Sequence, residues 1–267
     1  MGGVSAAMQR LLGVMRRLRD PQGGCEWDRA QDMASIVPHT LEEAHELAEA
    51  VALGRPPAIR DELGDLLFQV VFLARIAEEQ GDFDFDAVAT AIADKLERRH
   101  PHVFGQPAAL SAAEQTVAWE AHKAAERAAE GQSGTLAGVA RALPALTRAT
   151  KLSKRAARVG FDWPDVVGVR AKVDEELGEF EETLRDQEPR ERQEEELGDL
   201  LFAIASWARH LGLDPEAALR ASNAKFETRF ARMEAMAQRQ GRELGALDLD
   251  AWEALWAQAK AKTETGR

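Results

Sequence analysis

The sequence has no tyrosine and only one cysteine, and aromatic residues make up just 6% of its 267 positions. A lone thiol, Cys25, cannot close an internal disulfide, so non-covalent packing must hold the chain together. Positive charge is also short: 34 Lys and Arg stand against 46 Asp and Glu, a formal charge of -12. Binding to nucleic acid or anionic lipid needs clustered cations, so neither is expected as a partner. No apolar run is long enough to span a bilayer, and no apolar leader follows Met1-Gly2-Gly3, which points to the cytoplasm. Alternating apolar patterns between turn signals are missing, so strands are not expected. Two phosphate-binding signatures are absent as well, the Walker loop ending in Lys-Ser or Lys-Thr and Gly-x-Gly-x-x-Gly after a strand, which excludes standard P-loop and Rossmann sites.

What remains is a chain rich in Ala, Leu, Glu, Arg and Gln with 45% hydrophobic residues, enough for a core and suited to an all-α fold. Met8, Leu11, Leu12, Met15 and Leu18 follow helical spacing up to a break at Asp20-Pro21-Gln22-Gly23-Gly24, and a loop is expected to present Trp27. Helices are expected from about Thr40 to Leu53, from about Ala58 to Gln80, and from a cap at Asp86 to Arg99. Ser111-Ala112-Ala113-Glu114 reads as a capping box opening a further helix. Gly131-Gln132-Ser133-Gly134 then interrupts the pattern, and the domains are placed at 1–130 and 131–267.

The central stretch is Thr40 to Phe72, where Glu42-Glu43-Ala44-His45-Glu46 is followed by Asp61-Glu62-Leu63-Gly64-Asp65-Leu66-Leu67-Phe68. Residues three apart share a helical face, so Glu43 with Glu46 and Glu62 with Asp65 form two carboxylate pairs. Four crowded acids repel one another unless a hard divalent cation neutralises them. The constellation recurs: Glu43 to Glu176 and Glu46 to Glu179 are each 133 residues apart, and Glu62 to Glu196 and Asp65 to Asp199 each 134. Lys95 and Arg99 are answered by Lys225 and Arg229, Trp119 and Lys123 by Trp256 and Lys260, and Trp27 by Trp163. Matching separations of this kind identify a tandem duplication.

Four acids, a Lys and Arg four residues apart, and a Trp with a Lys four residues on suit a polyphosphate chelated through metal. Mg²⁺ takes a few carboxylates together with phosphate oxygens, Arg grips phosphate bidentately, and Trp can stack on a base. The composite points to a nucleoside polyphosphate hydrolase. Taken singly, each feature has an ordinary alternative: exposed helix cations for Lys95, Arg99, Lys225 and Arg229, core aromatics for Trp119 and Trp256, and helix C-terminal capping for His100 and His102. Asp65 and Asp199 are harder to explain as surface, since each precedes Leu-Leu-Phe.

The blocks Glu42-Glu43-x-x-Glu46, Glu62-Leu-Gly-Asp65-Leu-Leu-Phe-Gln-Val-Val, Arg98-Arg-His-Pro-His-Val-Phe-Gly105 and Val159-Gly-Phe-Asp-Trp163 resemble the MazG family of bacterial nucleoside triphosphate pyrophosphohydrolases over nearly the whole chain. The resemblance implies tandem four-helix-type MazG domains in a homodimer, using Mg²⁺, with Mn²⁺ as a substitute, to cleave NTPs and dNTPs to the monophosphate and pyrophosphate. It makes Glu176, Glu179, Glu196 and Asp199 the metal ligands and catalytic acids of the second half, with Glu43, Glu46, Glu62 and Asp65 as the first-half metal set. It assigns nucleotide contacts to Lys225, Arg229, Trp256 and Lys260, and Lys172, Glu195 and Asn223 are added beside them. Lys95, Arg99, Trp119 and Lys123 are the first-half counterparts. The first half departs from the family's Cys-Pro-Trp-Asp-x-x-Gln-Thr-His-x-Ser pattern at Glu26, Asp32 and Met33, and the second half alone carries the basic run Arg148, Lys151, Lys154, Arg155 and Arg158, so the second site is expected to be the catalyst. Two rival readings are a non-catalytic helical adaptor and a ferritin-like di-iron protein, the latter suggested by Glu42 and His45 and weakened by Gly178 in place of a second His.

Overall fold

Helices account for every regular element among the described residues, which in this computed structural model are 5–105, 111, 126, 131 and 134–264. The chain divides into two compact units, Met1–Lys123 and Ala124–Arg267. None of these helices is long and apolar enough to cross a membrane.

In the first unit α1 (Ala6–Leu18) starts at Ser5, whose hydroxyl accepts from Met8 N. A short α2 (Glu26–Ala30) carries Trp27, so this tryptophan sits on a helical turn instead of the expected loop; its ring meets His39 edge-on at 5.9 Å. Next, α3 (Met33–Ala52) begins about seven residues earlier than the sequence suggested and runs through Pro38. A capping box explains this start: the Asp32 side chain accepts from Ser35 N at 2.8 Å, and Asp32 N donates to Ser35 Oγ at 3.0 Å. Pro56 opens α4 (Pro56–Gln80), which ends at Gly81 with φ 79°, a left-handed conformation that glycine adopts without strain. The cap of α5 (Phe85–Arg99) is Asp84, which accepts from Ala87 N at 2.8 Å, not Asp86; the latter lies inside the first turn. His100 Nδ1 lies 2.7 Å from Leu96 O, closing that helix as expected, before α6 (Pro101–Phe104). Met15, Ile36, Val71, Phe72 and Ile76 form the core shared by α1, α3 and α4. Of the proposed capping box Ser111-Ala112-Ala113-Glu114, all but Ser111 lie outside the described residues.

A buried ion pair fastens the first unit. Arg19, 8% exposed, donates to both carboxylate oxygens of Glu79 at 2.7–3.1 Å, and also to the carbonyls of Asp28 and Gln31. The guanidinium ties the α2 segment to the end of α4. Burial alone would raise the Glu79 carboxyl, but the hydrogen bonds from Arg19 and Arg75 hold it below its ordinary value. A carboxyl lowered in the fold lends stability above its unfolded value of 4.5, and that stability is lost as pH falls through the lowered one. Arg19→Ala leaves the partly buried Glu79 with Arg75 alone and takes the side-chain donor from the carbonyls of Asp28 and Gln31. The expected cost is about 3 kcal/mol in chemical denaturation at neutral pH, shrinking in acid; a loss of only a few tenths would refute this account of the clasp.

The second unit repeats the scheme. It contains α7 (Ala145–Ala157), α8 (Val166–Arg185), α9 (Arg190–His210), α10 (Pro215–Arg239), a 3₁₀ turn (Leu244–Ala246) and α11 (Leu249–Glu264). Asp165 caps α8 and Asp214 caps α10, each accepting from the backbone N–H three residues on. Like α3 and α4, α8 and α9 pair along their length across a short turn, and α7 covers α9. Met233, Ala237, Leu255 and Ala259 join α10 to α11.

Candidate active site

Each unit sets its acids on the two helices of one hairpin. In the first, Glu43 of α3 meets Glu62 and Asp65 of α4, with carboxylate oxygens all within 4.8 Å of one another. In the second, Glu176 of α8 meets Glu196 and Asp199 of α9 under the same limit. Six of the eight predicted acids are thus brought together as two sets of three. Glu46 and Glu179 stand outside these sets on exposed positions, yet close enough for Glu46 to act on Glu43 and Glu62, and Glu179 on Glu196.

The two sets differ in burial. Glu176 and Glu196 are only 7% and 3% exposed, while Glu43 and Glu62 are partly open. Desolvation, then the neighbouring acids, raise Glu43 and Glu62 above 4.5, with the Gln69 amide opposing this at Glu43. Desolvation likewise raises Glu196, with Arg192 pulling it down and Glu179, Asp199 and Glu176 pushing it up. Buried carboxylates held this close, in an all-oxygen donor set, match what a hard divalent cation binds. The first set leaves Glu42 and His45 out, so the Glu-x-x-His pair of a di-iron site takes no part in it.

The cations also differ. Lys172 Nζ lies 2.7 Å from both Glu175 and Glu176, and Arg192 bridges Glu195, at 2.8 Å, and Glu196. Both side chains are pushed toward permanent charge, Lys172 by hydrogen bonds to Glu175 and Glu176, Arg192 by those to Glu195 and the charge of Glu196. The matching first-half positions hold His39 and Ala58, so this pair of cations is not duplicated. Arg192 escaped the sequence reading, although its place four residues before Glu196 on one helix was a usable signal. Gln69, 6% exposed and facing Glu43, escaped it too; its second-half counterpart is Ala203.

The remaining predicted positions that the structure describes lie on α5, α10 and α11, outside the acid hairpins. Asn223 and Lys225 are exposed on α10, and Arg229 is partly buried with no hydrogen-bond partner for Nε among the described residues. Trp256 packs on Phe226 at 5.4 Å between ring centroids, with Lys260 Nζ 5.8 Å from its centroid, in the α10–α11 core. Lys95 is exposed and Arg99 partly buried on α5. Trp119 and Lys123 lie outside the described residues.

Residues 31–104 and 168–232, which contain the two acid hairpins, match the MazG nucleotide pyrophosphohydrolase domain. A nucleoside triphosphate pyrophosphohydrolase of Escherichia coli K12 is 48% identical over 257 residues, covering 95% of this chain and 97% of its own. The nucleoside triphosphate pyrophosphohydrolase/pyrophosphatase MazG of Thermotoga maritima is 41% identical, covering 96% and 97%. A nucleoside triphosphate pyrophosphohydrolase of Mycobacterium tuberculosis is 36% identical over 176 residues, or 63% of this chain.

Proposed function

The chain belongs to the family of MazG nucleotide pyrophosphohydrolase domains, and from that we propose that it is a Mg²⁺-dependent nucleoside triphosphate pyrophosphohydrolase whose turnover resides in the second unit. The observation that carries the reading is the set Glu176, Glu196 and Asp199, with two of its three carboxylates buried and all within 4.8 Å. These three acids, with Glu179 at the rim, would hold the cation. When bound, Mg²⁺ polarises phosphate oxygens and neutralises charge that develops as the leaving group departs. Lys172 and Arg192 turn from the acids to the phosphates; Arg192, 47% exposed in its side chain, has room to do so. Water attacks the α-phosphorus, the bond from that phosphorus to the α–β bridging oxygen breaks, and a carboxylate of the cluster accepts the water's proton. The products are a nucleoside monophosphate and pyrophosphate.

The first unit keeps its acids, but His39 and Ala58 stand where Lys172 and Arg192 would be, so it has fewer groups to grip a triphosphate. We place the domain boundary near Gly131–Gly134, a few residues beyond Lys123, where the first compact unit ends. Mn²⁺ substitutes for Mg²⁺ on this reading, since both accept oxygen ligands. Leu177 and Leu184 of α8 and Leu197 and Leu201 of α9 are 41–49% exposed, an apolar face that a homodimer would bury. On this reading the enzyme is cytoplasmic, and its net charge of -12 disfavours binding to nucleic acid or anionic membrane. Release of pyrophosphate from common NTPs and dNTPs by the purified chain with Mg²⁺ is the expected result; no release from any of them would end the proposal.

A further inference from the structure

The two acid sets are alike in geometry but not in how their charge is balanced. In the second unit the balance is internal: Lys172 Nζ lies 2.7 Å from Glu176, and Arg192 pairs with Glu196. In the first unit the charges acting on Glu43 come from Asp65, Glu46 and Glu62, and those acting on Glu62 from Glu46, Asp65 and Asp61. The cationic groups nearest in sequence serve other acids, His39 lying 3.8 Å from Glu42 and Arg60 pairing with Asp61 at 2.9 Å. Among the described residues, no Lys or Arg side chain pairs with Glu43, Glu62 or Asp65. Three carboxylates within 4.8 Å are thus left to repel one another.

Gln69 is built into this set and has no equivalent in the other, where Ala203 takes its place. It lies four residues beyond Asp65 and seven beyond Glu62, on the same face of α4. Its side chain, 6% exposed, hydrogen bonds to Glu43, while its carbonyl Oε1 is buried without a partner among the described residues. An unpaired buried oxygen is costly. The opposite amide orientation would set that oxygen against a carboxylate, so the residue is held for the donor it aims at Glu43. Acids that bind metal are commonly oriented by such a hydrogen bond from behind.

We propose that the first unit holds a hard divalent cation on its own, without nucleotide, through Glu43, Glu62 and Asp65, with Gln69 as the positioning residue that fixes the Glu43 carboxylate. Glu43 and Glu62 are partly exposed and Asp65 is exposed, so an ion reaches the set from solvent. It displaces no side-chain cation on entry. An ion entering the second set must push Lys172 and Arg192 aside, and their charges find new partners only when phosphates arrive. The first site is therefore a standing structural one that joins α3 to α4, and the second fills together with substrate. The inference goes beyond the hydrolase reading and needs no phosphate chemistry in the first unit.

The test titrates the full chain with Mn²⁺, which takes oxygen ligands, in the absence of nucleotide, and follows the paramagnetic resonance signal of the free ion. The first ion taken up should bind about tenfold or more weakly in Asp65→Asn, about tenfold more weakly in Gln69→Leu, and within about twofold of the parent in Asp199→Asn. Gln69→Leu also removes a buried unpaired oxygen, so in EDTA it should unfold no more readily than the parent, and its weaker Mn²⁺ binding is then not a folding defect. Asp65 is exposed, so Asp65→Asn decides the site even where Gln69→Leu disturbs the fold. Uptake that Asp199→Asn weakens as much as Asp65→Asn, or more, overturns the proposal, as does weak uptake indifferent to both, which is the acidic surface at large. Parental Mn²⁺ affinity in Gln69→Leu overturns the role given to Gln69. Pyrophosphate release enters none of these measurements, so failure here is distinct from failure of the hydrolase reading.

Discussion

Asp199→Asn is expected to lower kcat on the order of 10³-fold, while the same change in the first unit, Asp65→Asn, alters it by about twofold or less. The amide keeps the shape of the side chain but removes a negative charge and one strong oxygen ligand from a three-acid set. Asp199 is exposed, so the substitution should leave the unfolding free energy within about 0.5 kcal/mol of the parent, and lost activity cannot be ascribed to lost folding. Steady-state pyrophosphate release beside a denaturant melt reads both quantities. The asymmetry follows from the cations: Lys172 and Arg192 flank Glu176 and Glu196, whereas His39 and Ala58 hold the matching positions. Should Asp65→Asn prove the crippling change, catalysis belongs to the first unit and the assignment made here is reversed.

Removal of divalent cation with EDTA is expected to abolish turnover and to expose a pH dependence that Mg²⁺ hides. Glu43, Glu62 and Glu196 are all raised in the fold, first by desolvation and then by other charges around them. A raised carboxyl binds its proton more tightly folded than unfolded. The stability it lends is therefore complete below its unfolded value and lost as pH climbs through the raised one. The metal-free chain should lose this contribution as pH rises from the unfolded value of 4.5 to a pH above the raised ones, the two conditions to compare. Because a cation binds the ionised acids, Mg²⁺ should add more stability at the upper pH, about 2.7 kcal/mol at a hundredfold excess over Kd. Glu79 and Asp162 shift the other way but touch no acid of either set, so the difference between EDTA and Mg²⁺ isolates the clusters. An equal Mg²⁺ increment at both pH values would rule out metal binding by these carboxylates.

Much of this was legible in the residues themselves. The acid pairs fell on one face of each helix because a three-residue spacing allows no other outcome, and the two copies located one another by separation alone. Helix starts were harder. The helix expected from about Thr40 starts at Met33, where a capping box at Asp32 decides the place, and Asp84 rather than Asp86 opens α5. What the sequence could not convey was which acids converge. The depth at which Glu176 and Glu196 are buried, and the exclusion of Glu46 and Glu179 from the tight sets, depend on how two helices are rotated against each other. Arg192 and Gln69 were missed for the same reason: a single Arg or Gln on an acidic helix becomes informative only when its neighbour is seen to be buried.

The hairpin that carries each acid set also fixes when the set comes into being. Glu176 and Asp199 are joined through the short turn between Arg185 and Arg190, and Glu43 and Asp65 through that between Ala52 and Pro56. Contacts so near in sequence close early, before distant segments have found their places. On the ribosome, the first acid set has all its ligands once α4 has emerged, while the second still awaits synthesis of nearly half the chain. A nascent chain thus completes one acid set well before the other exists.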